Sequence, residues 1–355
     1  MRDFRQPCGK VNVQILLLPE GLATLYPIAS DVRARWRTAG WAMARRLATV
    51  FGGSGFIGRY IVQRLARQGW LVRVAIRRPD EALFLKPMGD VGQVTPVAAN
   101  IRHERSVSAA VEGAEVAINL VGILYERGAQ RFDAVHAEGP RRLARAAKVA
   151  GVDRFLHVSA LGADPASPSA YARSKAAGEI QVLDQFPTAT ILRPSIVFGP
   201  EDDFFNRFAE MARVLPALPL IGGGTTRFQP VYVGDVADAA MAAIENPETR
   251  GHIYELAGPK AYTFRDLMEI LLAQIGRRRL LLPIPMSVAR IQASILQLLP
   301  QPPLTLDQLR LLERDNVPSG QFAGLKDLGI EPEGLEAILP SYLDRFRPGG
   351  RFAKV

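Results

Sequence analysis

Cysteine is nearly absent from this chain: Cys8 is the only one in 355 residues. A lone thiol excludes a disulfide framework and a cysteine-based zinc site, and it suits a reducing cytoplasm. Histidine is scarce as well. His103, His136, His157 and His252 show no metal-ligand spacing, so no metal is expected. No apolar run approaches the roughly 20 residues that a membrane-spanning helix needs. Basic residues form no stripe interleaved with aromatics, so the formal charge of +9 is not the footprint of a nucleic-acid-binding protein. Internal repeats and low-complexity tracts are lacking too. What is left is a globular composition, 48% hydrophobic and 22% charged, at a length that suggests two lobes.

Residues 1–42 differ from the rest. Arg2, Arg5, Lys10, Arg33, Arg35 and Arg37 stand there against Asp3, Glu20 and Asp31. The apolar piece 15–18 is too short for a signal-peptide core. The expectation is a disordered extension, or upstream sequence from a mis-called start, with Met43 as a natural beginning.

The run Val50-Phe51-Gly52-Gly53-Ser54-Gly55-Phe56-Ile57-Gly58 carries the first chemistry. It closes an apolar strand and opens into the amphipathic run 59–68, which reads as strand, tight turn, helix. Glycines at that junction let the backbone approach a pyrophosphate, and the helix N-terminus adds free N–H groups. Gly52, Gly55, Phe56, Ile57 and Gly58 are therefore candidate cofactor contacts, although a plain strand–helix turn uses glycine too. The next strand, 70–76, ends in Arg77-Arg78-Pro79, about twenty residues past the last glycine, where this kind of turn reads the adenosine ribose. An acid there suits a 2′-hydroxyl and an arginine suits a 2′-phosphate, so the reading is NADP(H) over NAD(H). The alternative is that both arginines are solvated loop charges.

Strand and helix keep alternating. Strands are expected at 94–98, with Asn100 at its end, and at 115–121, 155–158 and 189–197. Helices are expected at 106–111, 141–149 and 171–185. This alternation predicts an α/β protein with a doubly wound parallel sheet, whose ligands sit at the strands' carboxyl ends. Two such ends are notable. Ser159 follows Phe155-Leu156-His157-Val158, and Tyr171 lies four residues before Lys175 on one helical face. A free phenol, with a pKa near 10, is a poor base at neutral pH. A neighbouring ammonium favours the phenolate, and a serine hydroxyl can orient a substrate oxygen.

These segments together resemble the extended or atypical branch of the short-chain dehydrogenase/reductase superfamily, from about Leu47 to Ala257. The carriers are Gly52, Gly55 and Gly58, Asn119-Leu120-Val121-Gly122, the pair Tyr171 and Lys175, Arg193-Pro194-Ser195, and the run from Gln229 to Ala237. The resemblance implies a Rossmann domain. It also implies that Val121 and Gly122 touch the cofactor, Pro194 packs near the nicotinamide, and Lys175 reaches its ribose. The segments 119–124, 157–163 and 198–206 resemble one subgroup, the dehydrogenase-like accessory subunit of respiratory complex I and its bacterial relatives. That likeness implies a tightly held NADPH and a role near complex I or ubiquinone metabolism. Ser159 is followed by Ala160 and Tyr171 comes only twelve residues later, a departure that weakens the step from binding to catalysis, but the retained pair Tyr171 and Lys175 keeps an active oxidoreductase or epimerase open.

Residues 43–200 and 229–248 are assigned to the cofactor domain, and 201–228 and 249–355 to a smaller mixed substrate lobe. In that lobe Arg277-Arg278-Arg279 precede an apolar piece and a helix over 287–299 with one charge, Arg290. Such a segment suits complex I or a membrane surface, peripherally on the inner membrane. The plainer expectation is that the helix walls the substrate lobe.

Overall fold

In the computed structural model, residues 46–300 and 302–350 are described, and these residues belong to one compact unit. The expectation for residues 1–42 lies outside the described residues. The apolar runs singled out above become β1 (Leu47–Phe51), β2 (Leu71–Ile76), β3 (Val94–Ala98), β4 (Val116–Asn119), β5 (Arg154–Val158) and β6 (Thr190–Pro194). Between them lie α1 (Phe56–Arg67), α2 (Glu104–Val111), α3 (Glu138–Val149) and α4 (Ala170–Gln185). A seven-stranded, all-parallel sheet runs in the order β11-β6-β5-β4-β1-β2-β3, where β11 is Ile253–Leu256. The order reverses between β1 and β4, which creates a crevice at the strands' carboxyl ends. Pro96 sits in β3 at the sheet's edge, where a missing N–H costs least.

Both faces of the sheet are covered, which explains the near-continuous apolar strands. On one face Ala48 and Val50 pack with Ile61, Val62 and Leu65 of α1 and with Val236 and Ala240 of a later helix, Val233–Glu245. On the other, Phe51 and Ala117 pack with Val107, Leu143, Ala144 and Val182 of α2, α3 and α4. Each fully buried leucine or isoleucine contributes about 1.5–3 kcal/mol.

The smaller lobe has its own core. Here α5 (Phe204–Val214), α7 (Phe264–Gln274) and α10 (Leu335–Leu343) close over Phe198, Phe205, Leu218, Phe228, Leu267 and Leu339, with α6 being the Val233–Glu245 helix. Three two-stranded sheets stitch it together: β7 (Val197–Phe198) with β10 (Val231–Tyr232), β9 (Arg227–Phe228) with β12 (Tyr262–Thr263), and β8 (Ala217–Ile221) with β13 (Leu280–Ile284). The lobe is completed by α8 (Met286–Leu296) and α9 (Leu306–Leu312).

Two expectations need correction. The strand expected over 189–197 is broken: β6 ends at Pro194, and β7 leaves to pair with β10. The stretch after 249 is not wholly in the smaller lobe. Residues Ile253–Leu256 add the edge strand to the main sheet in parallel register with β6. Leu325 and its neighbours Ala323, Leu328 and Ile330 pack on the main core, with Glu255 N–H donating to the Ala323 carbonyl at 2.9 Å. The reason is the apolar edge that β6 would otherwise leave open.

Candidate functional site

A cavity of about 250 Å³ opens at the carboxyl ends of β1, β2, β3 and β4. Gly52, Gly55, Arg77, Arg78, Asn100, Val121 and Gly122, each picked out above, line it together with Arg102 and Gln130. Backbone geometry makes its floor. Gly52 has φ of +78°, and a Cβ there would stand 3.2 Å from the Leu120 carbonyl carbon. A Cβ on Gly58 would lie 2.5 Å from the Gly52 oxygen, so only glycine lets α1 start so close to the turn. Gly55 begins α1 without a side-chain cap, and the first turn holds no acid. The N–H groups of Phe56, Ile57 and Gly58 thus have no intrahelical partner and suit an anion. Phe56 and Ile57 do not line the cavity, and those N–H groups are what they would offer a ligand. The Phe56 ring packs edge-on to Tyr60 at 6.2 Å.

At the far end of the cavity Arg77 and Arg78 are exposed. Arg78 pairs with Glu81 at 2.5 Å, whereas no ion pair engages Arg77 among the described residues. Asn100 is fixed by local bonds: its Oδ1 accepts the Arg102 N–H at 3.1 Å, and its own N–H donates to Ser106 Oγ at 3.1 Å.

Ser159, Tyr171, Lys175 and Pro194 form a second group that does not line this cavity. Lys175 is buried, and its Nζ donates to the Val158 carbonyl at 3.1 Å. Burial pulls its ammonium down to about 8, against the favourable charge of Glu179. Tyr171 lies edge-on to His136 at 5.3 Å and to Phe132 at 5.9 Å. Burial pushes its phenol up to about 12. The expectation that the lysine would favour a phenolate therefore needs correction, since the ammonium is turned to the Val158 carbonyl. Ser159 Oγ is buried with no hydrogen-bond partner, an orphan that a group arriving at the strand end can satisfy. Pro194 is buried, and its carbonyl accepts the Leu161 N–H at 2.9 Å, which ties the loop after Ser159 to β6.

Three positioning residues escaped the sequence reading. His136 stands in a π-helical turn, Asp133–Ala137. Its Nε2 accepts the Ile123 N–H at 2.9 Å, and its Nδ1 faces Ser174 Oγ at 2.9 Å. Asp307 of α9 accepts from the Ala170 and Tyr171 N–H groups and from Ser169 Oγ, at 2.7, 2.9 and 2.8 Å. Asn316 Oδ1 accepts from Ser195 Oγ at 2.7 Å and from the Ile196 N–H at 3.1 Å. Each bond spans a long sequence separation, and no local motif announces it. His157 is buried in β5; its Nδ1 meets Asn119 Nδ2 at 3.0 Å, but its Nε2 has no partner.

A doubly wound sheet with a glycine cradle at its switch point defines a dinucleotide-binding protein of the short-chain dehydrogenase type. Residues 48–257 match the NAD dependent epimerase/dehydratase family, and the chain belongs to that family. It is 39% identical over 316 residues to the mitochondrial NADH dehydrogenase (ubiquinone) 1 alpha subcomplex subunit 9 of Arabidopsis thaliana, covering 86% of this chain and 79% of the relative. The subunit of the same name in Mus musculus is 38% identical over 304 residues, covering 85% and 80%. Ceramide reductase of Caulobacter vibrioides is 32% identical over 244 residues, covering 68% and 74%. Among solved structures, a Thermus thermophilus UDP-glucose 4-epimerase complex with NAD superposes with a TM-score of 0.62 at 22% identity, covering 87% of this chain and all of that one, which shows the shared fold.

The residues fit a nicotinamide dinucleotide. The glycine cradle and the free N–H groups would hold the pyrophosphate, and the strand ends of β2 and β3 the adenosine. When bound, such a cofactor supplies hydride chemistry. This chain's own part is to bind and orient it, with Ser159 Oγ and Lys175 placed at and beside the end of β5. Among the described residues no cluster of histidine, cysteine or carboxylate side chains has the makings of a metal site.

Proposed function

We propose that this chain holds NADP(H) firmly and serves as an accessory or assembly protein of respiratory complex I or of quinone metabolism. The observation that carries the cofactor choice is Arg77, at the end of β2, facing the cavity with no carboxylate partner among the described residues. An acid at that place would repel a 2′-phosphate; a guanidinium with its donors unclaimed attracts one. The accessory role is supported by the level of identity to the two mitochondrial subunits. Their names assign them to the ubiquinone-reducing NADH dehydrogenase. A retained but quiet site agrees with the phenol raised by burial and the lysine turned to a backbone carbonyl. No described helix is long and apolar enough to cross a membrane. Contact with a membrane-bound complex is assigned to the surface over 277–299, where Arg277, Arg278 and Arg279 stand beside exposed aliphatic side chains.

The test is to purify the native protein and measure its nucleotide. Stoichiometric NADPH that survives dialysis, is not oxidised by candidate carbonyl substrates and co-purifies with complex I subunits supports the reading. Empty protein, or protein carrying NADH, overturns the cofactor assignment.

A second reading, an active NAD(P)-dependent oxidoreductase or epimerase acting on a small carbonyl or alcohol, is favoured by the buried Ser159 hydroxyl, which has no partner at the end of β5. Ceramide reductase among the relatives points the same way. Steady turnover that Tyr171→Phe abolishes would select this reading.

A further inference from the structure

The segment from β13 through α8 is built with its large side chains outward. In α8 the residues that reach the core are Ala289 and Ala293, both fully buried and packed with Leu309 of α9. Val288, Ile291 and Ile295 stand in solvent instead, at 44%, 65% and 64% exposure. With 3.6 residues per turn, these three fall within an arc of about 60°, opposite the alanines, and Leu298, just past the helix end, is 81% exposed. The strand before the helix continues this surface, because Leu280 and Leu282 of β13 are 74% and 57% exposed. Leu280 N–H donates to the Pro216 carbonyl, which places the exposed Val214 and Leu215 at the same end of the β8–β13 pair. A soluble protein gains nothing by keeping so many aliphatic side chains in water, and a contiguous apolar surface of this kind marks an interaction site.

Charge narrows the choice of partner. Between Glu269 and Asp307 there is no acidic residue, while Arg277, Arg278, Arg279 and Arg290 all fall in that span. Arg277 and Arg279 are fastened by their Nε atoms to the carbonyls of Phe346 and Ala212, so their stems are held at the rim. Arg290 is paired with Glu313 and Glu210 with Arg213, so the uncompensated charge of the rim rests on Arg277, Arg278 and Arg279, none of which has an ion pair among the described residues. An aliphatic face with a basic rim and no free acid matches the interface of an anionic lipid bilayer, where leucine and isoleucine enter the acyl boundary and guanidinium groups meet phosphates.

We propose that β13, α8 and the turn after α5 form a face that docks on an anionic lipid bilayer. The proposal deepens the peripheral contact assigned to residues 277–299 and is independent of the cofactor assignment. Through Leu309 the docking helix packs on α9, whose Asp307 caps the helix of Tyr171 and Lys175. The docking face is thus joined to the second residue group by two elements.

Flotation of the full-length protein tests it, with vesicles of phosphatidylcholine alone and of phosphatidylcholine mixed with phosphatidylglycerol. At low salt about tenfold more protein should float with the anionic vesicles. The double variant Ile291→Glu/Ile295→Glu should lose about tenfold of that binding, and Arg278→Glu a smaller share. All three residues are exposed, so Tm and bound nucleotide should match the wild type and confirm folding. Absence of flotation on both vesicles, or equal flotation on both, overturns the proposal. So does a stable dimer that the double variant dissociates, because the face would then belong to a second copy. Nucleotide content and co-purification with complex I are read separately, so the docking face and the proposed function fail independently.

Discussion

The imidazole of His136 bridges two parts of the site: its Nε2 accepts the Ile123 N–H at 2.9 Å, and its Nδ1 faces the hydroxyl of Ser174 at 2.9 Å. Because the backbone N–H can only donate, the ring's proton sits on Nδ1 and is given to Ser174, which donates in turn to the Tyr171 carbonyl at 2.7 Å. One neutral imidazole thereby fastens the loop that lines the dinucleotide cavity to the helix of Tyr171 and Lys175. Burial, and then the Lys175 ammonium, push it from 6.5 down to about 3.

The sign of the resulting pH dependence follows from linkage. Between pH 6.5 and about 3 the unfolded chain binds a proton that folded His136 refuses. Stability is then full above pH 6.5 and falls as the pH drops, by up to about 1.4 kcal/mol per pH unit for one such group. His157 is lowered by burial in the same direction and adds to the slope. Urea midpoints at pH 7, 5 and 4 should therefore fall, and His136→Gln should reduce the slope by about half. An unchanged slope would mean that His136 is charged in the fold.

Arg77 decides between the two nicotinamide dinucleotides. Arg77→Glu should weaken NADPH binding by about 10- to 100-fold, the loss of one or two charge-assisted hydrogen bonds, and leave NADH within about threefold. Arg78→Ala should do less, since Arg78 is shared with Glu81. Fluorescence titration of the stripped protein reads both constants, and equal losses for the two nucleotides would refute the assignment.

Two glycines of the cradle should behave differently. Alanine at Gly58 meets the Gly52 oxygen at 2.5 Å and Gly53 Cα at 2.6 Å, backbone atoms that cannot swing away. Gly58→Ala should cost about 1–3 kcal/mol and release the nucleotide. Alanine at Gly122 meets only His136 Nε2, at 3.6 Å, so Gly122→Ala should keep stability within about 0.5 kcal/mol. Thermal melts of the two variants compare them directly.

The parts legible in the sequence are those set by local period. Leu47–Phe51, the glycines and α1 read in order because strand, turn and helix are contiguous, and the end of β2 could be counted to Arg77. The edge strand Ile253–Leu256 was misplaced because its four residues carry no sign that their partner is Ile191–Pro194. His136 resembled an ordinary packed histidine, since Ile123 and Ser174 lie 13 and 38 residues away. The outward face of α8 was open to two readings, because an apolar stripe does not say whether alanines or isoleucines turn inward.

Asp307 shows most clearly what a local pattern conceals. It lies inside the capping box of its own helix, between Thr305 and Gln308, where an acid reads as a favourable charge on the helix dipole. Its carboxylate instead reaches the start of α4 and satisfies the N–H groups of Ala170 and Tyr171. It also accepts from the Ser169 hydroxyl, which in turn accepts the Ala172 N–H at 3.3 Å. The first turn of the Tyr171 helix is therefore capped by a residue 136 positions further on. Asp307→Ala should leave those donors half-buried and unpaired, at a cost of about 1–2 kcal/mol. Asp307→Asn keeps one oxygen and should lose about half as much. Hydrogen exchange localises the effect: amides 170–172 should exchange at least about tenfold faster in Asp307→Ala, while those of 180–185 keep their wild-type rates. Uniformly faster exchange along α4 would mean that Asp307 supports the whole helix through packing rather than its first turn through capping.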